Sequence, residues 1–143
     1  MADKAHVLVV ANRTAESDEL LAALKQRAES APTHFTLLVP ATPHGVAWAA
    51  DMHSGGDEAE AHMAKALQRL SDAGLEVKGL LGDPDPIAAV QDAVNSDLEF
   101  DAAVVSTLPT HLSRWLKLDL PHRVERTTGL PVQHVEASAS ELQ

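Results

Sequence analysis

The chain of 143 residues contains no cysteine. That excludes disulfides, thiolate metal ligands and a cysteine nucleophile together. Basic residues are scarce: 11 lysines and arginines stand against 21 aspartates and glutamates, for a formal net charge of −10. Binding to nucleic acid needs a basic stripe that displaces counterions, and docking on an anionic membrane surface needs the same, so neither partner fits. No apolar run approaches the roughly 18 residues of a membrane span. The opening MADKAHVLVV leads into a valine-rich run without a signal-type apolar stretch. Internal repeats, low-complexity tracts and an interdomain linker are also missing. The expectation is a soluble, cytoplasmic protein of one domain, 1–143, with a polar tail from residue 137 onward.

Hydrophobic residues make up 45% of the chain and charged residues 22%, which suits a folded domain with a core. Five short apolar runs carry the pattern: HVLVVA (6–11), FTLLV (35–39), LEVKGLL (75–81), AAVV (102–105) and VQHV (132–135). They are too short for helices, and the first is uniformly apolar, as a strand buried on both faces must be. The third alternates apolar and polar residues, which suits a strand nearer a sheet edge.

Amphipathic segments lie between these runs. Ser17 reads as an N-cap followed by Asp18 and Glu19, with Leu20, Leu21, Leu24 and Ala28 on one face and Ser30-Ala31-Pro32 as the stop. Asp57 with Glu60 resembles a capping box, followed by the stripe Ala59, Met63, Ala66, Leu67 and Leu70, with Gly74 past the end. Asp85 before Pro86 starts a third helix, with Ile87, Val90 and Val94 on one face, and Pro121 starts a last one with Val124 inward. Residues 40–56 form a long loop. Strands alternating with helices predict an α/β fold of three αβα layers around a five-stranded parallel sheet.

In such a sheet, ligands bind outside the carboxyl ends of the strands. Ser106, Thr107, Thr110, Ser113 and Arg114 stand at the end of the fourth run, and Asn12 and Arg13 at the end of the first. Clustered hydroxyls with arginines suit an anion. Other features reduce to structural roles. His44, Asp51, His53, Asp57 and His62 lack compact ligand spacing, so no metal site is expected. His111 has no nucleophile motif beside it. Trp115, with Leu112, Leu116 and Leu118, reads as packing on the sheet. Ser54-Gly55-Gly56-Asp57 reads as a hinge and cap. No catalytic residue is assigned.

The whole chain resembles a universal stress protein domain, a branch of the Rossmann-like adenine-nucleotide-binding superfamily. The resemblance rests on the first strand with its polar turn, the loop after the second strand, Gly82-Asp83-Pro84 after the third, and Gly129-Leu130-Pro131-Val132 before the last. It implies a sheet of order 3-2-1-4-5. It also implies a homodimer through the edge strand Val132, Gln133, His134 and Val135. ATP-binding members of that family carry an aspartate where this chain has Asn12, and a G-x-x-G where it has Ser106-Thr107-Leu108-Pro109. Their later glycine and hydroxyl fall here on Leu118 and Asp119. Proline offers no N–H to a phosphate and Asp119 repels one, so the ATP motif is degenerate. The expected function is that of a stress-protein-like regulatory or interaction protein without catalysis, and not a tight ATP binder. The alternative is a nucleotide- or anion-binding module with a rebuilt pocket, holding ATP or a smaller anion through Asn12, Arg13, Ser106, Thr107, Ser113 and Arg114.

Overall fold

The first apolar run forms strand β1, Ala5–Val10. The computed structural model describes residues 5–11, 15, 17–40, 54–82, 85–95, 99–107 and 119–137, with backbone alone for 54–60 and 62. The other strands are β2 (Thr33–Pro40), β3 (Glu76–Gly82), β4 (Ala102–Thr107) and β5 (Val132–Glu136). Among the described residues, the helices between them are α1 (Asp18–Ser30), α2 (Ser54–Asp72), α3 (Pro86–Val94) and α4 (Leu120–Thr128). All strand pairs are parallel, in the order β3-β2-β1-β4-β5. β1 is central, as its unbroken burial from His6 to Val10 requires.

Alternation along the strands builds two cores. Val7, Val9, Phe35, Leu37 and Val104 face α1 and α2, where they meet Leu20, Leu24, Ala66 and Leu70. Leu8, Val10, Leu38, Ala103 and Val105 face α3 and α4, where they meet Ile87, Val90, Leu120 and Val124. Leu20 and Leu24 are fully buried, each contributing roughly 1.5–3 kcal/mol of transfer free energy. α2 approaches β3 closely because residue 79 is glycine: a Cβ there would lie 2.6 Å from Met63 Sδ and 2.8 Å from Leu67 Cδ1.

Local signals set most helix ends. The Ser17 hydroxyl accepts from the Leu20 N–H at 3.2 Å, and the Asp85 carboxylate accepts from the Ile87 N–H at 3.0 Å. α2 closes on Gly74 at φ +89°, with Gly74 N–H donating to Ser71 O and Leu75 N–H to Leu70 O, a Schellman arrangement.

Four expectations need correction. α2 begins at Ser54, so Ser54-Gly55-Gly56 is its first turn rather than a hinge, and Asp57 lies inside the helix rather than at its cap. Glycine costs a helix only about 1 kcal/mol, and an aspartate early in a helix is favoured by the dipole. α4 begins at Leu120, one residue ahead of Pro121, behind Asp119 in the left-handed region at φ 57°. β4 runs two residues beyond Val105, because β5 supplies partners for Ser106 and Thr107. Ala137, assigned to the tail by sequence, is buried and donates its N–H to Thr107 O at 2.9 Å. The 40–56 loop, from 41 to 53, lies outside the described residues. Among the described residues, no helix is long and apolar enough to cross a membrane.

Candidate functional site

The sheet order fixes where a ligand crevice would open. From β1 the chain steps outward to β2 and β3, then crosses back to β4 on the other side of β1. The switch point is therefore between the carboxyl ends of β1 and β4. On the β1 side the described residues are Ala11, Ala15 and Ser17, all buried. On the β4 side they are Ser106 and Thr107, 1% and 2% exposed.

Ser106 and Thr107 were paired by sequence as turn hydroxyls, but they are consecutive strand residues and point to opposite faces. Ser106 shares the face of Val104, toward α1 and α2; Thr107 shares the face of Val105, toward α3 and α4. The Thr107 hydroxyl is engaged with His134 Nε2 on β5, at 2.7 Å. Of the two, Ser106 stands on the α1 side of the switch point.

The amino end of α1 comes next to this crevice, behind β1. A helix N-terminus is a natural seat for an anion. Here the Ser17 hydroxyl already serves the Leu20 N–H, and the first turn carries Asp18 and Glu19. Asp18 is ion-paired with Arg69 of α2. Asp119, expected to repel a phosphate, has its carboxylate 2.8 Å from His122 Nδ1. Asn12, Arg13, Thr110, His111, Ser113, Arg114 and Trp115 lie outside the described residues.

A second polar cluster lies at the opposite end of the sheet, on residues to which the sequence alone assigns no role. His6 Nε2 lies 2.7 Å from Thr36 Oγ1, both side chains buried. The His6 ring stacks on His34 with centroids 4.1 Å apart and packs against Phe100 at 4.3 Å. Burial pushes the His6 imidazole below its ordinary value of 6.5, and His34 pushes the same way. The Glu99 backbone and the Asp101 carboxylate oppose this, and Lys78 adds to it slightly. The signal in the sequence was three polar residues, His6, His34 and Thr36, at strand positions that register places on one face.

No protein-family model matches the chain, and no curated protein sequence is similar enough to be a relative. Solved structures are similar in three dimensions. A universal stress protein in complex with cAMP superposes with a TM-score of 0.65 at 18% identity, over 96% of this chain and 100% of that one. A universal stress protein from Archaeoglobus fulgidus gives 0.63 at 15% identity, over 92% of this chain and 93% of that one. The structure of the universal stress protein from the same organism in complex with dAMP gives 0.63 at 14% identity, over 94% and 99%. With the order β3-β2-β1-β4-β5 and helices on both faces, the chain has the fold of the universal stress proteins.

Proposed function

We propose that this protein is a cytoplasmic regulatory or interaction protein of the universal stress type, without catalysis and without tight ATP binding. One observation carries the ATP part: the amino end of α1, where a phosphate would sit beside the switch point, is capped by Ser17 and followed by Asp18 and Glu19. Two carboxylates in that turn compete with a polyphosphate for the same helix dipole. The Thr107 hydroxyl is held by His134 within the sheet. Isothermal titration with ATP and magnesium tests the reading. No heat of binding is expected at micromolar ligand, and a micromolar Kd overturns it.

The interaction part of the reading is a homodimer through β5, the last strand on its side of the sheet. The other outer strand, β3, carries exposed Glu76 and Lys78, which discourage strand addition. β5 carries Val132, Gln133, His134 and Val135 along most of its length, with one exposed charge, Glu136, at its carboxyl end. Ala103 N–H donates to Pro131 O and Ala137 N–H to Thr107 O, so odd-numbered residues of β5 turn their backbone toward β4. The N–H groups of Val132 and His134 then face away from β4. Light scattering is expected to give a dimer mass, and His134→Pro, which removes an outward donor and spares the β4 ladder, a monomer. A parent monomer, or a proline variant that stays dimeric, removes this reading.

The alternative is a nucleotide or smaller-anion site using Asn12, Arg13, Ser106, Thr107, Ser113 and Arg114, in which a ligand would compete with His134 for the Thr107 hydroxyl. It is favoured by the position of Ser106 at the switch point and by similar structures solved with cAMP and dAMP. It predicts phosphate binding that Arg114→Ala abolishes; no detectable binding in the parent protein eliminates it.

A further inference from the structure

The amino-terminal end of the sheet holds chemistry that a crevice at the carboxyl end does not use. His6 on β1 and His34 on β2 are register partners, and their rings stack within 16° of parallel. Phe100 packs on the His6 ring from the segment that leads into β4. The backbone ties the same place: His6 N–H donates to Asp101 Oδ2 and Asp101 N–H donates to His6 O, each at 2.8 Å. His6 thus holds β1, β2 and the approach to β4 together.

We propose that the His6–His34 stack forms an acid-sensitive latch: the stacked rings hold β2 and residues 99–101 against β1, and protonation of the buried His6 ring loosens that end of the sheet. A protonated His6 ring loses its hydration when buried, and it meets electrostatic repulsion from the His34 ring stacked on it at 4.1 Å. Each strand around the pair adds charge. Lys78 on β3 reinforces the repulsion. The Asp101 carboxylate and the Glu99 backbone favour the proton, but they weigh less than burial and His34. Glu76, the register partner of His34, lies on the same face.

The sign follows from linkage. The unfolded chain takes up a proton on this histidine near 6.5, while the folded chain resists it to lower pH. As pH falls through that interval, the unfolded state binds more protons and stability declines; above it the stabilisation is complete. Background electrostatics run the other way. A chain of net charge −10 relieves self-repulsion as acid neutralises it.

Residue-resolved histidine titration by NMR, with thermal melts between about pH 7.5 and about pH 5.5, tests the latch on the intact protein. In the parent, the His6 ring is expected to titrate below 6.5, and Tm to fall over the acid range. The Asp101 amide should lose exchange protection there, relative to its intrinsic rate, before Val9 does. In His34→Gln, a half-buried position that leaves the core intact, the His6 midpoint should rise part of the way toward 6.5, since burial remains, and the fall in Tm should become smaller. A His6 midpoint at or above 6.5 in the parent, or an equal fall in Tm in both proteins, overturns the proposal.

Discussion

Histidine meets threonine twice on this sheet, each time at 2.7 Å: His6 with Thr36 at the amino-terminal end, and His134 with Thr107 at the carboxyl-terminal end. Both pairs sit on the face toward α3 and α4. The first lies between β1 and β2, inside the sheet, with both partners buried; in the second, His134 is exposed on an outer strand. A hydrogen bond of the same length therefore carries different consequences. Inside, the alternative to the bond is an unsatisfied polar atom on both partners; outside, His134 at least has water as its alternative. The interior pair is a structural commitment, and the outer pair is a replaceable contact beside the crevice.

Substitutions at the two ends would break or sharpen this contrast. His6→Ala should cause the largest loss, about 2–4 kcal/mol by denaturant unfolding, since it opens a cavity under His34 and Phe100 and leaves the Thr36 hydroxyl without its partner. A loss below about 1 kcal/mol would place His6 with the surface histidine instead. Thr36→Val keeps the shape and removes the hydroxyl, so a loss of about 1–3 kcal/mol is expected from the stranded imidazole nitrogen. Acid should then shrink the His6→Ala penalty, because the parent has by then surrendered the advantage of the neutral ring; melts of both proteins along a pH series read this directly. His134→Ala should change stability by no more than about 0.5 kcal/mol in denaturant unfolding of the protein as a monomer. A larger effect would mean that the outer pair also holds the sheet together.

The sequence carried the fold where the deciding forces were local or two-faced. Buried parallel strands announce themselves as apolar runs, and Ser17, Asp85 and Gly74 are caps whose chemistry acts within a few residues. Ends decided by tertiary pairing were misread. β4 continues through Ser106 and Thr107 because β5 lies beside them, and nothing within AAVVST says so. α2 accepts Gly55 and Gly56 in its first turn, against their low propensity. The candidate site was legible as a location, since the switch point follows from topology. Its chemistry was less so. Thr107 looked available beside Ser106, but its hydroxyl meets His134, 27 residues away along the chain. The His6 cluster was hidden for the same reason: Thr36 and Asp101 lie 30 and 95 residues from His6 in sequence.

The bond that spans those 95 residues also bears on how the chain is made. Translation delivers the central strand first, and β2 soon after, but its other neighbour emerges only when most of the chain is complete. Until then, one side of the most apolar strand in the protein is an open template. Parallel pairing across such a separation is intrinsically slow, and the waiting period is one of exposure to aggregation. Ribosome-stalled chains ending before Asp101 should engage holdase chaperones more than chains ending after Glu136, so the arrival of β4 marks the moment at which the nascent protein becomes safe.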